Sequence, residues 1–176
     1  EGSLILQADY AFGRTRYIHI RRLFDDSRSQ TIKRFLIRGG YQSARSLDDR
    51  GEAYNEDMVF LELHARIPLK KQFLLSHRLR SEARWIGDDN DFSTRFRYRF
   101  QAEKEFQIND VSLVPYVNVE PYYDSRYETV NRVRAIGGAT VTWMQRFAIE
   151  GNFTYQYDSR SSVTNLYALN LILHIY

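Results

Sequence analysis

The chain has no cysteine, three prolines and no long apolar run. Without cysteine there is no disulfide frame, no thiolate metal ligand and no thiol nucleophile. The longest stretch free of Asp, Glu, Lys and Arg covers residues 161–176, and it still contains Ser, Thr, Asn and His. A membrane-spanning helix needs roughly 20 mainly apolar residues, so that class is excluded. Lysine is scarce as well, with 4 against 21 arginines. A solvated basic surface would draw on both. Arginine is favoured where a cation is buried, paired or forked onto a carboxylate, so the excess reads as interior charge.

Motifs for catalysis are missing too. His19, His64, His77 and His174 lack metal-ligand spacing. There is no G-x-S-x-G, no phosphate-cradling glycine loop and no zinc motif. Asp48-Asp49 and Asp88-Asp89 read as solvated turns, and Ser76-His77 would point to opposite faces of a strand rather than form a nucleophile–base pair. No catalytic residue, cofactor or metal is therefore assigned, and a non-enzymatic role is expected.

What the chain does have is alternation. Residues 92–101 read F-S-T-R-F-R-Y-R-F-Q. A strand sends successive side chains to opposite faces. Arg95, Arg97 and Arg99 then share one face, while Phe92, Phe96, Tyr98 and Phe100 share the other. Nucleic-acid binding by stacking rings and backbone-binding arginines needs both on one face, so it is disfavoured. A strand with one apolar and one charged face suits the wall of a transmembrane barrel, where apolar side chains meet lipid and polar ones meet the lumen.

The same pattern recurs in ten segments, 3–12, 15–24, 31–43, 57–67, 72–86, 91–106, 111–124, 129–143, 147–158 and 164–176, joined by polar connections. They exceed the 5 or 6 residues usual for a globular strand and match the roughly 9–11 needed to cross a bilayer obliquely. The reading is a single all-β domain over 1–176: a transmembrane antiparallel up-and-down β-barrel of about ten strands. An even count puts both ends of the chain on one side. Pro115 and Pro121 both fall in the segment 111–124, where a missing N–H predicts a bulge or fraying.

Strand parity assigns a lumen network of Arg78, Arg80, Glu82, Arg84, Arg95, Arg97, Arg99, Glu120, Arg132 and Arg134. Glu82 and Glu120 are the carboxylates expected to be forked by neighbouring arginines. Aromatics gather at the ends of the apolar faces. Trp85, Phe92, Tyr123, Tyr157 and Tyr167 mark one rim, and Phe106, Trp143 and Phe147 the other, as girdles at the two lipid headgroup levels would.

From residue 55 to 176 the chain resembles an uncharacterised bacterial outer-membrane family catalogued as domain of unknown function 2490. The resemblance is carried by Asn55-Glu56, S-H-R-L-R-S-E-A-R-W at 76–85, R-F-R-Y-R-F at 95–100, P-Y-V-N-V-E at 115–120 and N-R-V-R at 131–134. It implies an outer-membrane barrel from a Gram-negative-type bacterium and supplies no activity. Two roles stay open. One is a narrow, porin-like, anion-preferring channel for a small anionic solute. The other is a structural or interaction barrel, sealed by Arg–carboxylate pairs, that docks a partner protein or lipid. Outer-membrane lipid is the expected surrounding in both.

Overall fold

A computed structural model describes residues 2–16, 31–45, 55–87, 91–109, 111–143, 147–160 and 164–175. They form β1 (Gly2–Arg16), β2 (Thr31–Arg45), β3 (Asn55–Pro68), β4 (Phe73–Ile86), β5 (Asp91–Lys104), β6 (Phe106–Ile108), β7 (Val111–Asp124), β8 (Thr129–Trp143), β9 (Phe147–Asp158) and β10 (Asn165–Ile175). All belong to one antiparallel sheet in the order β1-β2-β3-β4-β5-β7-β8-β9-β10, with β6 paired to β7. Each long strand pairs with its neighbours in sequence, so the topology is up-and-down. The only helical element among the described residues is a 3₁₀ turn, Lys70–Gln72, between β3 and β4. No described helix is long and apolar enough to cross a membrane.

The described residues form ten strands, but these are not the ten segments read from the sequence. Thr15 and Arg16 finish β1, which pairs directly with β2 through Arg16 and Thr31. The rest of the expected strand 15–24 lies outside the described residues. The expected strand 91–106 is broken at Glu105 into β5 and β6. The break preserves register, since Glu103 faces Tyr116 and Phe106 faces Leu113. It falls opposite Val114 and Pro115, and proline has no N–H to give to the ladder. Pro121 has a similar effect. The β5–β7 pairs skip Tyr98 and Arg99, and the β7–β8 register shifts between Tyr122 and Tyr123, leaving Asn131 as the extra residue of a bulge.

The partition has a topological consequence. Nine long antiparallel strands put Gly2 and Ile175 at opposite ends of the sheet, not at one end as an even count would. They also make the two edge strands, β1 and β10, run in the same direction. Among the described residues no hydrogen-bonded pairing joins β1 to β10, so the sheet is open at that seam.

Burial reverses the usual order. The largest of the fully buried side chains are Glu62, Glu82, Glu103, Glu105 and Glu120. The exposed ones include Leu79, Phe96, Tyr98, Phe100, Phe153 and Leu169. Among the described residues there is one layer of sheet, and it is the sheet itself that covers these polar side chains. It therefore curls around its charged face and leaves its apolar face outside. Close approach on the inside requires glycine at one point in particular. A Cβ on Gly138 would lie 2.7 Å from the Gly151 carbonyl oxygen and 2.9 Å from the Tyr116 ring. The turns need left-handed residues, and Gly87 (φ +74°) and Asn109 (φ 51°) supply two of them.

Candidate functional site

One row of residues crosses the inner face from the β1 edge as far as β9, each member directly opposite the next. Asp9 pairs with Arg38, Arg38 with Glu62, Glu62 with Arg80, and Arg80 with Arg97. Arg97 pairs with Tyr122, Tyr122 with Arg132, and Arg132 with Asp158. Eight strands thus contribute one residue each to a belt perpendicular to the strands. The belt exists because the register of seven hairpins places residues of one parity level with one another.

Like charges directly opposite are unfavourable in a sheet, and the belt contains one such pair, Arg80 with Arg97. Glu82, two residues along β4, resolves it. Its carboxylate accepts hydrogen bonds from Arg80 Nε at 2.5 Å and Arg95 Nε at 2.5 Å, and it pairs with Arg97 as well. Glu62 is the second node. Arg80 Nη1 donates to it at 2.7 Å, His64 Nε2 lies at 2.9 Å, and Arg78 and Arg38 stand at 3.7 and 3.8 Å. Glu120 is the third, taking Arg78 Nη2 at 2.5 Å, Arg99 Nη2 at 2.9 Å and the Tyr122 hydroxyl at 3.1 Å. Each of these carboxylates is about 0–1 % exposed. Such burial is tolerable only because every one meets two or more guanidinium groups.

Two of these bonds pass over an intervening strand. Arg78 on β4 reaches Glu120 on β7 across β5, and Arg84 reaches Asp124 at 3.3 Å by the same route. Strands two apart are separated by roughly 9–10 Å in a flat sheet, so long side chains and curvature together close the gap.

Tyr122 occupies the centre of the belt's basic half. Its buried ring is flanked by the guanidinium groups of Arg97, Arg134 and Arg132, with centroid distances of 5.4, 5.5 and 5.6 Å. Face-on guanidinium groups gain from the ring quadrupole, which spreads positive charge over an otherwise neutral spacer. Arg132 also forms an ion pair with Asp158 at 2.6 Å, whereas Arg134 binds the neutral amide oxygen of Gln156 at 2.7 Å.

All ten residues assigned to the network by parity lie on this inner face. Arg78, Arg80, Glu82, Arg95, Arg97, Arg99 and Glu120 meet in the three nodes. Arg84 is drawn toward the strand ends, to Glu56 and Asp124. Of the rim aromatics, Phe92, Phe106, Tyr123, Trp143, Phe147, Tyr157 and Tyr167 are exposed and Trp85 is partly so. The rings of Trp85 and Phe92 pack at 5.6 Å on one rim, while Trp143 faces Phe147 on the other. His77, on the outer face, bonds to the Tyr98 hydroxyl at 2.6 Å.

Several participants were not legible from the sequence. Glu56 and Asp124 sit at strand ends, where parity is least secure. Arg126 and Arg160 sit in turns, where parity assigns no face at all. Arg126 donates to Asp124 at 2.7 Å, and this bond holds its guanidinium pKa above the usual value. Among the described residues, no group of three or more His, Asp or Glu is placed to hold a metal ion.

These features define a class: an all-β protein made of a single curled antiparallel sheet with an ionic inner face and an apolar outer face. Residues 28–167 match the family described as protein of unknown function (DUF2490), and the chain belongs to that family. Comparison with curated proteins and with solved structures finds no match.

Proposed function

We propose that this chain is the wall of an outer-membrane β-barrel whose interior is sealed by arginine–carboxylate pairs, serving as a structural or interaction module without covalent chemistry. The observation that carries the reading is the inverted burial. Glutamates fill the inside, and leucine, phenylalanine and tyrosine cover the outside. In water, an outer face of this kind would be a very large exposed apolar patch. Against lipid it is the stable arrangement. Strand length agrees. Fourteen residues at about 3.3 Å each, tilted by about 45°, rise roughly 33 Å, close to a hydrocarbon core of about 30 Å.

Sealing follows from the nodes. Glu62, Glu82 and Glu120 are each engaged by several arginines, so the middle of the inner face is occupied by interlocked side chains. Barrels of about eight strands are filled by their own side chains, and this sheet is close to that size. Docking of a partner protein or lipid then falls to the outer wall or the connections.

A second reading, a narrow anion-preferring channel, is favoured by one observation. Arg134 is satisfied by neutral Gln156 and by the Tyr122 ring, so positive charge on the inner face is incompletely neutralised. Planar-bilayer recording separates the two. The sealed barrel gives no steady conductance. A channel gives small steps with anion preference, and Arg97→Ala with Arg99→Ala should then shift the reversal potential toward cations.

A further inference from the structure

At the end of the sheet that carries the 125–128 turn, the inner face opens into a cavity of about 370 Å³. That is within the range of about 300–1,000 Å³ typical of small-molecule sites. Five guanidinium groups, those of Arg84, Arg95, Arg126, Arg132 and Arg160, line it with two carboxylates, Asp124 and Asp158; Arg84 and Arg95 are also paired with Glu56 and Glu82, so the unneutralised charge rests on Arg160. The two carboxylates are already taken. Asp124 is bonded by Arg126 and Arg84, and Asp158 by Arg132. Arg160 stacks over the Tyr127 ring at 5.5 Å, and no described carboxylate forms an ion pair with it. Asn131, the extra residue of the β8 bulge, also lines the cavity. It is buried, and its Oδ1 has no hydrogen-bond partner among the described residues.

We infer that this cavity binds a tetrahedral oxyanion of the phosphate kind, as inorganic phosphate or a phosphate monoester. Two features select that chemistry. Arg160, with no described carboxylate, calls for an anion, and guanidinium forks match the oxygens of a tetrahedral oxyanion. The volume exceeds what a bare halide needs. The inference stands on the geometry of this mouth and does not depend on whether the sheet lies in a bilayer or whether its middle conducts.

The test is calorimetric titration of the full folded chain in neutral detergent micelles, with inorganic phosphate, sulfate, and phosphatidic acid mixed into the micelles as separate titrants. Saturable binding of phosphate is expected, with sulfate, an oxyanion of the same shape, competing for the same place. Arg160→Gln should weaken it roughly tenfold, the effect of losing one charge-assisted hydrogen bond. This arginine is exposed and holds no described carboxylate, so the variant should fold. Lys104→Gln, whose ammonium lies between Phe73 and Phe106 toward the other end, should leave affinity unchanged. Competition by phosphatidic acid would assign the phosphate to a lipid headgroup, and its absence would assign it to a soluble ligand; both support the site. The inference is overturned if neither phosphate form binds saturably, or if Arg160→Gln and Lys104→Gln have equal effects.

Discussion

The middle of the sheet and its two edges are built from the same alternating pattern, yet they reach different ends. In β3, β4, β5 and β7 the inward residues are buried or half-buried, and most of the charged ones are held in ion pairs. In β1, residues 3–10 are exposed on both faces, and β10 is nearly as open. The belt records the gradient. Glu62 is hidden and Arg80 nearly so, while Asp9, at the β1 end, is about 37 % exposed although its bond to Arg38 is only 2.7 Å long. Distance is therefore a poor guide to what an ion pair contributes here; enclosure decides it. Alternation creates the two faces, but a charged face becomes an interior only where the sheet curls over it.

Three substitutions probe this contrast, in descending order of expected effect. Glu82→Ala leaves Arg80, Arg95 and Arg97 without their shared carboxylate in a buried place. It should destabilise the fold by about 3–5 kcal/mol, measured by urea unfolding in vesicles. Leu79→Arg, near the middle of β4 on the outer face, should cost about 2–4 kcal/mol in a bilayer, as an arginine placed at lipid mid-depth does. On a water-facing surface the same change would stay within about 0.5 kcal/mol, so a near-zero result would break the assignment of the outer face to lipid. Asp9→Asn at the edge should cost no more than about 1 kcal/mol, because its pair with Arg38 is largely solvated. If Asp9→Asn rivalled Glu82→Ala, the edge would have to be enclosed after all, and the seam between β1 and β10 would be closed in the protein as it unfolds.

Much of this contrast was legible in the sequence, and the reason is the period of a strand. Arg78, Arg80, Glu82 and Arg84 share a face with one another because they are two residues apart, and no tertiary information is needed to say so. The same holds for Phe96, Tyr98 and Phe100. Register is another matter. That Glu62 stands level with Arg80, and Arg80 with Arg97, depends on where each hairpin turns, which composition does not encode. The bulge at Asn131 and the break at Glu105 arise opposite or beside prolines on a neighbouring strand. Pro115 and Pro121 signalled a disturbance without placing it. The segment 15–24 alternates like a strand, and its first two residues, Thr15 and Arg16, form the end of β1; the rest lies outside the described residues. Arg126 and Arg160, which shape the cavity at one mouth, lie in turns and had no periodic signal to find them.

The odd number of long strands among the described residues has a consequence for closure. Because β1 and β10 run the same way, a direct seam between them would be a parallel pair, whereas one further strand between them would keep every pairing antiparallel. Exposed edges of this length are open to either.

The central claim is that the apolar face meets lipid. The chain's two tryptophans, Trp85 and Trp143, sit on that face at opposite rims, and they are its natural reporters. With the protein folded into vesicles, lipids brominated along the acyl chain should quench both, most strongly when the bromines lie near the headgroups. Trp85→Phe and Trp143→Phe would then each leave about half of the quenchable signal. Emission that is red-shifted as in water and insensitive to brominated lipid, from a protein that stays in the aqueous phase, would contradict the account.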